Sequence, residues 1–460
     1  MDGIVRLASL ELSNIKNVKN GKIIMPNTYK KNMSYNNAEI LGVYGQNGSG
    51  KTAVIDTLYF LQKIMIGSTL NEEMADYIDV NDNQARIVAD FNIFEDNNIY
   101  EVTYRIDLQK NNKGVEIIQE TLSCAINTGA SRSNKTVFMD YNRKEKERIF
   151  MPKKRLEEVI EGNQENRTDL IVAKRMAEKS NCSYIFGESS REIFLRNYDN
   201  NFKDYSQVIE ALFHFALKNL FVIRNTHSGV ISANFVLPMA FKIEHNQIGM
   251  RGDLTVSLTE PVVLKEEEKD LLQIIVEHIN IVLCTIIPEM KIEVRNYGQQ
   301  LLDSGENGYR VELISIRGNM PPIPIRMESE GIIKIISILN ILIQAFGNPS
   351  ICLAIDELDA GIFEYMLGEL LDIFHKSAKG QLIFTSHNLR ALEMLDKDSI
   401  MFSTANPNRR YIRMKHVKAT NNLRDTYLRG ITLGGQDEVI YEATDSLKMA
   451  RAFRKAGRRI

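Results

Sequence analysis

Residues 45–52, Gly-Gln-Asn-Gly-Ser-Gly-Lys-Thr, have the types and spacing needed to hold the phosphates of a nucleotide. They fit the pattern G-x-x-x-x-G-K-[ST] at every fixed position. The glycines let backbone N–H groups curve around phosphate oxygens, the lysine reaches the β- and γ-phosphates, and the threonine hydroxyl binds Mg²⁺. We therefore predict an ATP and Mg²⁺ site at Gly45, Asn47, Gly48, Ser49, Gly50, Lys51 and Thr52.

Two carboxylates at the end of another apolar run provide the chemistry that such a site needs. The run 350–355 is followed directly by Asp356 and Glu357. Carboxylate oxygens are preferred ligands of Mg²⁺, so we expect Asp356 to hold the metal, directly or through water. A second carboxylate can orient or deprotonate the attacking water, and we predict that catalytic role for Glu357.

A histidine follows a third apolar run, which covers 380–384 and ends in Thr-Ser-His-Asn. His387 comes thirty residues after Glu357, which leaves room for one helix over 363–375 and one strand. Because neighbouring parallel strands end at the same edge of a sheet, we expect His387 beside the two carboxylates. There it could donate a hydrogen bond to the γ-phosphate, as a second catalytic residue. A lone histidine at a strand end would otherwise be an ordinary structural residue.

The elements that must position these groups predict an α/β fold. A short buried strand at 39–44 precedes the glycine-rich loop, and a helix at 53–62 follows it. Alternating or clustered β-branched and aromatic residues at 85–94 and 100–108 predict an antiparallel β-subdomain beside the nucleotide-binding sheet. Charged, mostly helical patterns then predict an insertion. We expect an N-terminal lobe at 1–130, a mostly helical insertion at 131–284, a C-terminal lobe at 285–435 and a basic C-terminal tail at 436–460.

The composition narrows the class of protein. The four cysteines among 460 residues are scattered and form no C-x-x-C pair, which argues against a disulfide framework or a zinc site and fits the cytoplasm. The apolar runs 271–287 and 332–346 contain polar residues and are shorter than a membrane span, so we predict core helices and no membrane contact. The net charge is −2, but the segment from residue 406 onwards is basic, with thirteen Lys/Arg and five Asp/Glu. This basic segment is either a docking surface for a partner or nucleic acid, or a solvated helix face.

The order of these motifs resembles the ABC-type ATPases of the SMC/RecF group. In that family a signature segment precedes the helix before the Asp-Glu strand, and the residues Met-Glu-Ser-Glu-Gly that end at Gly331 resemble a degenerate signature that keeps Ser329. Without the resemblance, this segment would be an ordinary helix cap. The resemblance implies that two chains sandwich two ATP molecules, so that Ser329 and Gly331 of one chain face Lys51 and Thr52 of the other. It also implies that Asp359 links the two nucleotide sites, and it leaves the family's Mg²⁺-sensing glutamine unplaced.

Two further stretches look like a narrower branch, the compact AAA-family ATPases of bacterial anti-phage and abortive-infection systems. They are Asp-Glu-Leu-Asp-Ala-Gly-Ile-Phe at 356–363 and Tyr-Leu-Arg-Gly-Ile-Thr-Leu-Gly-Gly at 427–435. They resemble the ATPase part of overcoming-lysogenization-defect nucleases and the ATPase subunit of the PARIS system. The resemblance implies a homodimer or higher homo-oligomer with ATP at the interface, a phage protein as a possible trigger, and a separate nuclease or toxin subunit as the effector.

The sequence leaves two alternatives open. The 72 residues after Asn388 contain no Toprim-like acidic cluster and no H-N-H pattern, so we expect the effector on another chain. A DNA-binding repair ATPase of the RecF type would fit the same motifs, but duplex binding normally needs a broad basic face, which the net charge does not favour. A pseudo-ATPase that only clamps nucleotide is disfavoured by the intact Lys51, Asp356, Glu357 and His387.

Overall fold

The structure is a computed structural model that describes residues 3–29, 35–95, 98–112, 114–161, 165–196, 202–224, 236–245, 248–257, 260–302, 305–415 and 422–457. Its strands are β1 Ile4–Ile15, β2 Val18–Ile24, β3 Glu39–Tyr44, β4 Gln84–Glu95, β5 Asn98–Asn111, β6 Gly114–Asn127, β7 Thr136–Asn142, β8 Leu220–Ile223, β9 Val236–His245, β10 Ile248–Ser257, β11 Val262–Leu264, β12 Met290–Leu301, β13 Asn307–Arg317, β14 Ile323–Pro324, β15 Cys352–Ile355, β16 Gln381–Ser386, β17 Ile400–Ser403 and β18 Tyr411–Ile412. Its helices are α1 Lys51–Met65, α2 Lys153–Ile160, α3 Glu165–Ser180, α4 Glu188–Arg196, α5 Lys203–His214, α6 Glu266–Ile286, α7 Glu330–Gly347, α8 Glu364–Ser377, α9 Ala391–Met394, α10 Leu423–Leu433 and α11 Ser446–Gly457.

A central six-stranded sheet carries the predicted motifs. Its strand order is β18-β17-β3-β16-β15-β8, and all neighbours are parallel except β17 and β18. The order places β16 directly between β3, which leads into the glycine-rich loop, and β15, which leads into Asp356. All three strands therefore deliver the residues that follow them to the same edge of the sheet, as the sequence predicts.

A second six-stranded sheet is antiparallel and has the order β2-β1-β4-β5-β6-β7. Strands β4 and β5 are the two strands predicted from alternation, and they pair from Gln84–Gln109 to Glu95–Asn98. The α/β fold with an antiparallel β-subdomain is thus confirmed.

Helix α1 packs between the two six-stranded sheets. Its residues are buried on nearly every side, including the polar Asp56 and Gln62. Alternate residues of β3 point to opposite faces of the central sheet: Leu41 and Val43 join the core around α1, whereas Ile40 and Tyr44 join a second core with α6, α7 and α8. The central sheet is therefore covered by hydrophobic layers on both faces.

The span predicted as a mostly helical insertion is mixed. Helices α2 to α5 lie between residues 153 and 214, but β8 follows and pairs in parallel with β15 at the edge of the central sheet. Strands β9 and β10 then form a hairpin, and β11 joins β13, β12 and β14 in a further antiparallel sheet. The polypeptide thus returns to the nucleotide-binding sheet in the middle of this span, because the four apolar residues of β8 have a buried partner there. The domain boundaries themselves stay a prediction.

Helix α7 is the one helix among the described residues that is long and apolar enough to cross a membrane, with a mean hydropathy of 1.5 over 18 residues. Two thirds of that stretch is buried inside the protein, as in the core helix of a globular domain. Lys334 lies in its second turn and is also buried. The helix predicted over 332–346 is therefore present and packs against the central sheet.

Candidate active site

The glycine-rich loop joins β3 to α1 in a conformation that exposes backbone donors. Gly48 and Gly50 have φ angles of 76° and 89°, in the left-handed region that favours glycine. Gly50 is the N-cap of α1, so the positive end of a fifteen-residue helix points into the loop. Such a loop offers backbone N–H groups and a helix dipole to the same anion.

The ammonium group of Lys51 lies against the loop. Its Nζ atom donates hydrogen bonds to the carbonyl oxygens of Gly45 at 2.9 Å and Gln46 at 3.2 Å. Burial lowers the pKa of Lys51, whereas Asp356, Glu357 and Asp359 attract its proton and oppose that shift. A buried cation in this position can provide the counter-charge for phosphate oxygens.

Thr52 and Asp356 meet as predicted, and Thr385 joins them. The Thr52 hydroxyl donates to Asp356 Oδ1 at 3.3 Å, and the Thr385 hydroxyl donates to the same oxygen at 2.6 Å. Asp356 is 1 % exposed, and its Oδ2 atom has no hydrogen-bond partner among the described residues. Since a buried carboxylate oxygen without a partner is costly, this oxygen beside a threonine hydroxyl fits a hard cation such as Mg²⁺.

Glu357 adopts a rare backbone conformation. Its φ of 49° lies in the left-handed region, which a residue with a side chain seldom adopts. Two contacts hold it there: its N–H donates to the Thr385 hydroxyl at 2.7 Å, and its carbonyl oxygen accepts a hydrogen bond from Lys334 Nζ. The carboxylate is half-buried at the carboxyl edge of the sheet. Strain of this kind persists where the surroundings fix it, often at functional sites.

His387 follows β16 at the same edge and is tied to Asp359. Its backbone N–H donates to Asp359 Oδ2 at 3.0 Å, and Asp359 Oδ1 is buried without a partner among the described residues. Although the residue keeps solvent exposure, surrounding protein and then the Lys51 ammonium lower the pKa of His387. Lys51 and the three carboxylates after β15 thus act electrostatically on this imidazole.

Ser329 and Gly331 lie at the start of α7, where the sequence predicts a signature segment. Ser329 is exposed, and its side chain makes no cap hydrogen bond. Gly331 packs so closely on Gly361 that a Cβ atom at residue 331 would lie 1.8 Å from the Gly361 carbonyl oxygen. The start of α7 therefore contacts the turn that contains Asp359, and no described contact joins Ser329 or Gly331 to the glycine-rich loop of the same chain.

Sequence reasoning missed three groups near the site. Thr385 bridges Asp356 and Glu357, and in the sequence it is only one residue of a polar cluster. Lys334 interrupts an apolar helix, and in the sequence this charge indicates only that the helix does not span a membrane. Arg224 directly follows β8. It lies near Asp356, because the backbone N–H of Asp356 donates a hydrogen bond to the carbonyl oxygen of Ile223 at 2.9 Å.

Arg224 links the end of β8 to helix α1. Its guanidinium stacks on the Tyr59 ring at 3.9 Å and lies 3.8 Å from Asp56 of α1. Burial raises the pKa of Asp56, and the nearby Lys16 and Arg224 oppose that shift. In the sequence, Arg224 directly follows the short apolar run 220–223, just as polar or charged residues follow β15 and β16 at this edge. This pattern is the signal that could have predicted Arg224.

The glycine-rich loop is also held from outside by residues that come late in the chain. Ser403 Oγ lies 2.5 Å from Ser49 Oγ, and the Tyr411 hydroxyl donates to Gly50 O at 2.6 Å. The Gln46 side chain contacts the Glu442 backbone twice, accepting from its N–H at 3.0 Å and donating to its carbonyl at 3.4 Å. Asn47 is exposed at the tip of the loop.

We call residues 435–445 the loop strap. Besides the Gln46 contacts, its Val439 carbonyl accepts a hydrogen bond from Ala405 N at 2.7 Å, and Ile440 is buried in the second core. Part of the span predicted as a basic tail is thus packed on the protein, next to the phosphate-binding loop.

The topology and the motifs agree on one fold. A P-loop follows β3, Asp-Glu follows β15, and Thr-Ser-His follows β16, on adjacent parallel strands beside an antiparallel sheet. The chain has an ABC-type P-loop ATPase fold.

Comparisons with known proteins add a weak likeness. No protein-family model and no curated protein sequence matches the chain. Among solved structures, an Smc head domain with an extended coiled coil, bound to the C-terminal domain of ScpA and derived from Pyrococcus furiosus, is 14 % identical with a TM-score of 0.41, over 89 % of this chain and 96 % of that one. The SMC head domain from Thermotoga maritima is 12 % identical with a TM-score of 0.36, over 89 % and 99 %. An Smc head domain with a coiled coil and joint from Pyrococcus yayanosii is 12 % identical with a TM-score of 0.42, over 92 % and 100 %. Functional inference therefore depends on the geometry of the site.

Proposed function

We propose that this chain is an Mg²⁺-dependent ATPase whose composite site is shared by two copies, and whose nucleotide state gates a separate effector in bacterial anti-phage defence. One observation carries the ATPase part: Asp356 accepts hydrogen bonds from the Thr52 and Thr385 hydroxyls beside the P-loop, and its buried Oδ2 atom has no partner among the residues that the structure describes. That donor set suits a magnesium nucleotide at the phosphate end.

The residues divide the chemistry between them. The loop N–H groups and Lys51 bind and orient the phosphates of ATP. Thr52 and Asp356 would hold Mg²⁺, which when bound neutralises developing charge on the phosphate oxygens. Glu357, fixed by Thr385 and Lys334, orients the attacking water and accepts its proton. His387 donates a hydrogen bond to the γ-phosphate from the neighbouring strand.

The contacts of α7 support a site completed by a second copy. The Ser329 side chain at the N-terminal end of this eighteen-residue helix is exposed and makes no described contact with the P-loop of its own chain. A helix N-terminus attracts phosphate, so this end can approach the ATP held by another chain. Gly331 packs on the turn of Asp359, which supports communication between the two nucleotides through that turn.

The part of the proposal that concerns defence and effector gating depends on the motif resemblance and on one structural feature. The loop strap joins the P-loop to the exposed helix α11, so a change at the nucleotide has a direct route to a surface that a partner can read. The trigger, a phage protein, would act on the same assembly from outside. DNA repair stays the alternative function, and no described contact favours it over defence.

A purified chain tests the ATPase part. Wild-type protein should hydrolyse ATP only with Mg²⁺ and should become dimeric or larger with Mg-ATP in sedimentation velocity. Lack of Mg²⁺-dependent turnover in a folded sample would contradict the proposal. Co-expression with the product of the adjacent gene tests the effector: a complex that ATP forms or releases is expected, and a chain that pairs only with itself would contradict gating.

A further inference from the structure

Helix α11 is amphipathic and has no partner within the described part of the chain. Every residue of α11 is exposed or half-exposed, including Phe453 at 78 % and Met449 at 48 %. Met449, Ala452, Phe453 and Ala456 share one face at helical spacing, and Lys448, Arg451, Arg454 and Lys455 share the opposite one. Since an isolated twelve-residue helix is marginal in water, such a helix is expected to rest on another surface.

An apolar groove of about 450 Å³ lies elsewhere on the molecule, between α7 and α8. Its floor is formed by buried side chains of α7 and by Ile362, and its rim carries the exposed aromatic rings of Phe363 and Tyr365. The two rings are 68 % and 58 % exposed, with centroids 5.9 Å apart. Exposed aromatic side chains around an apolar floor are typical of a helix-binding groove.

Charge complementarity matches the groove to α11. Helix α8 has three acidic residues, Glu364, Glu369 and Asp372, and one lysine or arginine, Lys376. Of the acidic residues, Glu369 lines the groove. The arginine that stacks on Tyr365 at the rim, Arg390, is itself paired with Glu393. Helix α11 carries four basic residues and no acidic one. The groove therefore has an apolar floor and one lining carboxylate on an acidic helix, which complements a basic helix with an apolar stripe.

The positions of the two elements relative to the nucleotide site identify the occupant as a second copy. The groove begins at Ile335, four residues and about 6 Å along α7 from Gly331. Helix α11 begins four residues after Glu442, which is bonded to the P-loop, and four residues reach at most about 14 Å. In the two-copy site proposed above, the P-loop of one chain faces the start of α7 of the other, so α11 and the groove come within reach.

We propose that α11 of each copy docks its Met449–Phe453 face into the α7–α8 groove of the other copy when ATP is bound. This inference depends on the proposed two-copy site and adds to it an interaction surface outside the nucleotide. Because Gln46 of the P-loop is hydrogen-bonded to Glu442 of the loop strap, the docking of α11 is sensitive to the state of the P-loop.

Site-directed cross-linking tests the contact. One chain carries Phe453→Cys, and a second chain, which has a larger tag, carries Phe363→Cys. Both chains also carry Glu357→Gln and Cys284→Ser. Cys284 is replaced because it is a partly exposed thiol near the groove. A short bismaleimide should join the two chains with Mg-ATP and not without it. The matched control replaces Phe453→Cys with Leu433→Cys, an equally exposed apolar position on α10, and should give no product.

Each other result has one meaning. A dimer that forms with Mg-ATP but gives no Phe453–Phe363 product overturns the docking and leaves the proposed function intact. A cross-link within a single chain that carries both cysteines, in place of the inter-chain product, overturns the second copy as the occupant. No ATP-dependent dimer in any sample contradicts the proposed function as well.

A charge substitution provides an independent measurement. Phe453→Asp should raise the dimer dissociation constant about tenfold or more, as loss of a central aromatic anchor does, with ATP affinity of the single chain unchanged. Met320→Asp, at an exposed apolar residue away from the groove, is the control. If Phe453→Asp leaves the dissociation constant unchanged but abolishes flotation with phosphatidylglycerol vesicles, the helix binds a membrane and the proposal is wrong.

Discussion

The two halves of the candidate site are built in different ways. Around the P-loop, the side chains of Ser403 and Tyr411 and the backbone of Glu442 hold the loop through hydrogen bonds. At the start of α7, Ser329 is exposed and makes no cap hydrogen bond, and only Gly331 is buried against its own chain. The first half is assembled within one chain, whereas the second leaves the Ser329 side chain exposed. Substitutions in each half should therefore behave differently.

The largest effect is expected from the assembled half. Lys51→Ala should weaken ATP binding about 100-fold or more, because the buried ammonium lies against the loop and its charge-assisted hydrogen bonds to phosphate are lost. Titration calorimetry with Mg-ATP measures the affinity. Lys63→Ala, at the other end of α1, is the matched control. Retained affinity in Lys51→Ala would place the nucleotide elsewhere.

Glu357→Gln should separate binding from chemistry within the same half. The amide keeps the shape of the side chain but cannot accept a proton, so kcat should fall about 100-fold while ATP affinity stays within about twofold. Steady-state hydrolysis and calorimetry on one preparation measure both quantities. Turnover at the wild-type rate would show that another group activates the water.

Ser329→Arg tests whether the exposed half acts on a second chain. It should leave ATP binding by the single chain unchanged and should lower hydrolysis about tenfold or more, because a bulky side chain blocks the approach of the other P-loop. Mixing this variant with Lys51→Ala should restore about a quarter of wild-type turnover, since mixed dimers contain one intact site. If mixing restores nothing, the two halves do not meet between chains.

Lys334→Met tests the contact between the two halves of the site, since Lys334 of α7 is hydrogen-bonded to Glu357. The substitution removes the hydrogen bond to Glu357 O at similar volume, so kcat should fall severalfold with ATP affinity preserved. Burial lowers the pKa of Lys334 from its usual value of 10.5. Between the lowered pKa and pH 10.5, Lys334 is therefore more protonated in the unfolded chain than in the folded one. The stability of the wild type relative to Lys334→Met should rise with pH across that window. Urea unfolding at pH 8 and pH 10 measures it, and Lys397→Met is the control.

The sequence was sufficient where a motif and a periodic element coincide. The P-loop, Asp356 and His387 each follow a buried apolar run, and neighbouring parallel strands bring such residues together without further information. The meeting of Thr52 with Asp356 was therefore predictable. Assignment of the catalytic and signature roles stays a prediction.

The rest was not predictable because its signals are short or distant. Strand β8 is four residues long, and its pairing partner lies about 130 residues later in the chain. A short apolar run of this kind fits a strand and a helix segment equally well. The loop strap has no periodic pattern, and what distinguishes it from a solvated tail is its contacts with Ala405 and Gln46 and the burial of Ile440.

The position of β3 in the central sheet has a consequence for how the protein is made. Both neighbours of β3, which are β16 and β17, leave the ribosome about 340 residues or more after it. At ordinary elongation rates of 5 to 20 residues per second, the strand before the P-loop waits roughly 20 to 70 s for a hydrogen-bonding partner. Nascent chains should therefore need chaperone protection of this strand and should be unable to retain ATP until synthesis passes residue 403. A prematurely terminated copy that lacks β16 and β17 could not complete the sheet that positions the P-loop.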